Sequence, residues 1–174
     1  QRIGIDGKKI NRPNSAYRLY LGLSIAERDS DTISYLKDIG YGDPTYELGS
    51  KSRIPENKLA ENEYISAILP SMVDTVKDLV EEKHGDDSKR KQNLFARKLV
   101  REAANSIREE FNDPDYGGAT QVAIIVDSLQ RVNKEDRRYG IQMFKEKNGR
   151  LPNIKSLDDM VEYAEYCKIS YFSE

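Results

Sequence analysis

Between Lys89 and Phe111, the residues Phe95, Ala96, Leu99, Val100, Ala103 and Ile107 recur at intervals of three and four. That is the period of one face of an α-helix. A strand, whose side chains alternate, would scatter the same residues over both of its faces. Ser88 opens the run. The run is closed by Asn112, Asp113 and Pro114. The spacing predicts a helix from about Ser88 to Phe111, with an apolar side that requires partners.

The remaining segments supply them. Pro13 suits a first helical turn, followed by Ala16, Leu19, Tyr20, Leu23 and Ile25 near helical period. A second helix is expected from Ser30 to a stop at Gly40, and a third opens at Pro55. Pro70 either separates that helix from one beginning at Ser71, with Asp74 completing a capping pair, or kinks a longer one. Thr120 is expected to cap a helix carrying Val122, Ile125, Val126, Leu129 and Val132. Another should end at Asn148-Gly149, and a last one should bury Leu157, Met160, Val161 and Ala164. Arg2 to Ile10 alternates around Asp6-Gly7, a pair favoured in hairpin turns, and Lys168 to Phe172 reads as a strand. The two terminal segments either tidy the ends of one chain or act as arms exchanged with a neighbouring copy. The expected class is mainly α: a bundle-like domain of about seven or eight helices with short terminal strands. It spans residues 1–174 as one domain, with a division into lobes at 1–54 and 55–174 left open.

Charged residues make up 33% of the chain and hydrophobic ones 37%, and the formal net charge is -2. A balance this close to neutral excludes a simple basic nucleic-acid binder acting through its overall field. The distribution is uneven, however. Lys+Arg against Asp+Glu is three to nine over 55–87, seven to three over 88–111, seven to three over 131–150 and two to five over 153–174. Alternating blocks point to charge pairing within the chain or between copies. The single cysteine, Cys167, permits no internal disulfide, which points to a reducing compartment. No stretch reaches membrane-spanning length and no signal-peptide core is visible. The expected location is intracellular (cytoplasmic, nuclear or inside a virion) and not secreted. A start at Gln1 rather than Met fits an excised domain or a processed product.

The first long helix carries a second pattern. Arg90, Arg97, Arg101 and Arg108 fall within an arc of about 40° and span roughly 27 Å of axis. Lys91 and Lys98 lie on the rim, and Glu102 is placed to pair with Lys98 one turn along. Such a row suits a polyanion, since guanidinium grips phosphate through two donors at once and stacks on bases. Four phosphate contacts on a single strand would give a slope of log K against log salt of about -2.8. Tyr17, Tyr20, Tyr41 and Tyr139 are possible stacking platforms. Arg137-Arg138 and Lys8-Lys9 would widen the basic surface if they lay near. The plainer reading is a solvated face, or one neutralised by the acidic 55–87 segment packed against it. A third reading gives the row to a protein partner's acidic face.

Other motifs carry less. Asp113 and Asp115 beside Gly117-Gly118 resemble part of a calcium loop, but the closing position counted from Asp113 holds Ile124 where a carboxylate is required. His84 with Asp86 and Asp87 reads as a cap and turn. No phosphate-binding loop, dinucleotide fingerprint, paired-histidine metal motif or nucleophile elbow is present. Ile10 to Leu21 resembles the opening of an HMG-box domain, where an Arg-Pro run starts the first helix. The chain has no tryptophan and lacks the lysine-rich helices that follow in that family, so nothing is carried over from it.

The resulting expectation is a non-enzymatic binding and assembly protein, associated with nucleic acid in a structural or packaging role and needing no cofactor or metal. Arg90, Arg97, Arg101 and Arg108 would contact phosphate with Lys91 and Lys98, while Asp158, Asp159, Glu162 and Glu165 would meet a neighbouring subunit. The alternatives are a protein-interaction or scaffold module without a nucleic-acid role, and a metal-dependent hydrolase using the Asp113–Asp115 loop.

Overall fold

The computed structural model describes residues 2–3, 9–10, 30–40, 56–113, 115 and 118–167. Arg2–Ile3 (β1) and Lys9–Ile10 (β2) pair antiparallel, Arg2 opposite Ile10 and Ile3 opposite Lys9. The helices are α1 (Ser30–Asp38), α2 (Glu56–His84), α3 (Lys89–Asn112), α4 (Ala119–Leu129), α5 (Lys134–Asn148) and α6 (Leu157–Tyr166). The protein is thus mainly helical, with six helices among the described residues where seven or eight were expected. The expected helix after Pro13, the Asp6-Gly7 turn and the Lys168–Phe172 strand fall outside the described residues, as do the HMG-like run after Ile10 and most of the proposed 1–54 lobe.

The other shortfall in number comes from Pro70, which lies inside one 29-residue helix. Proline removes an amide and crowds the preceding turn, at a cost of about 3 kcal/mol. Apolar burial on both sides of it offsets that cost. Ile65, Leu69, Met72 and Val76 are buried, and each such side chain contributes about 1.5–3 kcal/mol.

α2 is the spine of the fold, packing on α3, α4 and α5, while α6 covers α4 and α5. α2 and α3 run antiparallel. The His84 ring meets the Phe95 ring edge-on at one end, 5.1 Å between centroids, and Tyr64 meets Phe111 at the other, 5.3 Å apart. Three of the helix starts are capped by their own side chains. The side chains of Ser88, Asn133 and Ser156 accept from the amides of Lys91, Asp136 and Asp159 at the starts of α3, α5 and α6. Gly149 ends α5 at φ 70°, a left-handed conformation that glycine adopts without strain. Gly140 serves a different purpose, because a Cβ there would strike the sulfur of Cys167. Its bare backbone lets the end of α6 close on α5.

The cap of α4 departs from expectation. Thr120 lies inside the helix, and the capping position is Gly118, which has no side chain to offer. The end of α3 supplies the acceptor. Glu110 takes the amides of Gly118 at 3.1 Å and Thr120 at 3.0 Å. It also takes the hydroxyls of Thr120 at 2.6 Å and Tyr64 at 2.8 Å. One carboxylate therefore ties α2, α3 and the start of α4 together, where the helix dipole favours negative charge.

Candidate functional site

α3 presents the arginine row along the border of its buried face. Ala96, Leu99, Val100, Ala103, Ala104, Ser106 and Ile107 are buried. With Arg90 at zero on a wheel of about 100° per residue, that buried arc ends at Ala104, about 40° to one side of the row. The four arginines consequently meet different surroundings. Arg90 and Arg101 are exposed, and among the described residues neither forms an ion pair. Arg97 is half-buried, with Nε donating to the carbonyl of Asn93 at 3.3 Å and Nη1 to that of Gly40, just beyond α1, at 3.4 Å. Both acceptors are backbone oxygens, so its charge is not cancelled. Among the described residues, Arg108 is the one member with a carboxylate: Nε lies 3.8 Å from Oε1 of the buried Glu61, and Nη1 donates to Asn105 at 3.3 Å.

The expected neutralisation by the 55–87 segment is therefore partial. α2 does pack antiparallel on α3, yet its acids turn mostly elsewhere. Asp78 faces α5 and takes Arg137 Nε at 2.7 Å. Glu81 and Glu82 take Lys134 at 3.0 Å and Lys145 at 3.2 Å. Asp87 is held by His84 at 2.6 Å, and that hydrogen bond lowers its carboxyl from the usual range. Lys91 and Lys98 are exposed.

From Lys89 to Arg101 the chain has six cations and no acid, and the first turn of α3 carries no acidic residue. Cations there oppose the helix dipole and cost about 0.3–1 kcal/mol each. Leu94, half exposed at 50%, stands within the same surface.

The basic surface is narrower than the sequence allowed. Arg137 is committed to Asp78, Lys8 and the tyrosines at 17, 20 and 41 lie outside the described residues, and Tyr139 is 49% exposed on α5. The four C-terminal acids separate as well. Asp158 and Glu165 are exposed. Asp159 turns inward, 8% exposed, and accepts Arg150 through Nη1 at 2.6 Å and Nη2 at 3.1 Å, together with the Asn153 amide at 2.8 Å. Glu162 accepts from Asn148 at 2.8 Å and from the Tyr166 hydroxyl at 2.9 Å. Two of the four thus serve their own chain. The sequence pattern could not separate them, because Arg150, Asn153 and Asn148 reach α6 from outside it, and only Tyr166, four residues after Glu162, is local.

The other chemical candidates resolve into structure. The Asp115 amide donates to the Asp113 carboxylate at 3.1 Å, the bond of an Asx turn. Among the described residues no group of three potential metal-binding side chains converges. Cys167 is buried, which pushes its thiol up to about 12, so little thiolate forms near neutrality. Among the described residues lie surface grooves that the sequence did not suggest. One, lined by Asp31, Asp38, Asp74 and Asp127 with Lys77, lies between α1, α2 and α4. Another lies between α2, α3 and the segment after α5. Among the described residues no helix is long and apolar enough to cross a membrane.

The class defined by this arrangement is a mainly helical protein with a cationic edge on its second-longest helix. Compared with known proteins, the chain matches no family model, no curated sequence and no solved structure.

Proposed function

We propose that this protein is a non-enzymatic binding and assembly protein whose α3 surface contacts the phosphates of a nucleic acid. The observation that carries this reading is that Arg90 and Arg101 stand exposed and, among the described residues, without ion pairs, on a helix whose first thirteen residues hold six cations and no acid. A helix that keeps three cations in its first turn gives up local stability, and such departures from local preference concentrate where function demands them. Arg97 completes the site from the edge, with Lys91 and Lys98 on its outer rim. Arg108, paired with Glu61, drops out as a primary contact. Three contacts on a single strand give a slope of log K against log salt of about -2.1.

Fluorescence anisotropy with labelled single- and double-stranded oligonucleotides, DNA and RNA, at two salt concentrations tests the proposal. Charge reversal of Arg90→Glu with Arg101→Glu is expected to weaken binding at least about tenfold. Affinity unchanged by that pair, or no binding at low salt, would remove the site. In the assembly part of the reading, the exposed Asp158 and Glu165 meet a neighbouring copy's basic block. Light scattering behind size exclusion tests this, and a monomer at high concentration counts against it. A second reading, in which α3 meets a protein partner's acidic face, is favoured by Leu94, since a half-exposed leucine among cations suits a side chain more than a phosphate.

A further inference from the structure

The second groove lies on the side of α3 away from the arginine row, and it combines an apolar floor with a cationic rim. Phe95, Leu99, Leu151, Pro152 and Ile154 form the floor. Phe95 and Leu99 sit one turn apart, and Glu102 continues the same ridge, so the α3 wall runs for about 10 Å. The cavity measures about 500 Å³, within the range of sites that enclose a ligand group or anchoring side chain. Lys83, Lys145, Arg150 and Lys155 surround it, against Glu82 and Glu102. Lys145 is answered by Glu82 at 3.2 Å. Lys83 and Lys155 keep charge to spare. Lys83 stands over the Phe95 ring, 4.9 Å from its centre. Lys155 is exposed and, among the described residues, forms no ion pair. The Arg150 side chain remains 54% exposed although it grips Asp159.

The opposite wall is held rigid from below. Asp159 takes both Arg150 donors and the Asn153 amide, and the Asn153 side chain accepts the Lys155 amide at 2.9 Å. The Ser156 amide donates to the Asn153 carbonyl at 2.9 Å. A wall fixed in advance lowers the ordering cost of binding.

We propose that this groove docks an acidic peptide segment of a partner protein, seated by a bulky apolar side chain against Phe95 and Leu151, the partly exposed members of the floor, with Leu99 and Ile154 buried directly beneath. Charge complementarity selects the partner: the rim's surplus is positive, so carboxylates flanking the apolar anchor meet Lys83 and Lys155. The apolar floor offers contact to a leucine or phenylalanine side chain. This surface is separate from the proposed phosphate contacts of the arginine row.

The probe is a fluorescein-labelled peptide of about twelve residues, with two leucines one turn apart among glutamates. Versions with leucine replaced by serine, and with glutamate replaced by lysine, are the controls. Anisotropy is read on the full chain, with methyl NMR of Leu99, Leu151 and Ile154. The acidic leucine peptide is expected to bind and shift those methyls, and each control peptide to bind at least about tenfold more weakly. Lys83→Glu with Lys155→Glu, both substitutions at the rim, should cost a similar factor, while Arg90→Glu with Arg101→Glu should leave peptide binding unchanged. Unmoved methyls, affinity insensitive to the rim variants, or an oligonucleotide shifting the same methyls in the peptide's place would each overturn the proposal. Loss of oligonucleotide binding alone would sink only the arginine-row reading.

Discussion

Replacing Glu110 by alanine removes one carboxylate from four donors that it satisfies in α2 and at the start of α4. Two are the amides of Gly118 and Thr120, at a helix start with no cap of its own; losing a cap costs about 1–2 kcal/mol. The Tyr64 hydroxyl, at 2.8 Å, donates to a charged acceptor, a bond worth about 1.5–3 kcal/mol. Tyr64 and Thr120 are 2.7 Å apart and can still bond each other, which returns part of the loss. The expected destabilisation is about 3 kcal/mol, or a fall in Tm of about 6–12 °C for a chain of this size. Glu110→Gln should recover only part, because its NH2 group would face donors. The pH dependence provides an independent check. Burial works against the charged form of Glu110, yet the hydrogen bonds from Thr120, Tyr64 and Gly118 outweigh it, and the carboxyl is held below its ordinary value. A depressed pKa contributes stability that is present above the unfolded value of about 4.3 and is lost as pH falls through the folded value. The gap between wild type and Glu110→Ala, measured by urea denaturation followed by circular dichroism, should thus be widest at neutral pH and close in acid. A gap under about 0.5 kcal/mol at neutral pH, or one that stays constant into acid, would refute the reasoning.

Gly140→Ala gains about 1 kcal/mol of helix propensity but drives a methyl into Cys167, so a net loss of about 1–3 kcal/mol is expected in thermal melts. A neutral or stabilised variant would show that α6 moves aside freely. Asp159→Asn should release the Arg150–Lys155 wall, seen as faster tryptic cleavage after Arg150 or Lys155. The Asp159 carboxyl is buried, which raises it, but Arg150 and the Asn153 amide hold it below the ordinary range. The same loosening should therefore appear in wild type, read by amide hydrogen exchange, once pH falls through that depressed value, and identical tryptic digestion of variant and wild type near neutrality would contradict the assignment. Arg90→Glu should raise Tm by about 1–4 °C, because it puts a favourable charge at the start of α3. A fall in Tm would mean that Arg90 has a stabilising partner.

Local chemistry was legible in the chain wherever neighbours in sequence are neighbours in space. The period of Phe95 through Ile107 set the buried side of α3. Ser88 and Ser156 cap as their side chains dictate, and Gly149 stops α5 because only a residue tolerant of left-handed backbone suits that place. The Arg90–Arg108 alignment also follows from helix geometry alone. Tertiary contacts decided which of those arginines remain free: Arg108 meets Glu61 from α2 and Arg97 reaches the carbonyl of Gly40, contacts that no spacing within α3 encodes. They also carried α2 through Pro70, where burial on both flanks outweighs a local penalty. The cap of α4 moved from Thr120 to Glu110 because a carboxylate delivered by a neighbouring helix satisfies more donors than a hydroxyl in the helix itself. The groove beside Phe95 exists because Asp159 bonds back to Arg150 and Asn153. Periodicity and capping act over a few residues and are written in order along the chain. The partner of each buried charge is chosen by folding, which brings distant acids and bases together where water no longer screens them.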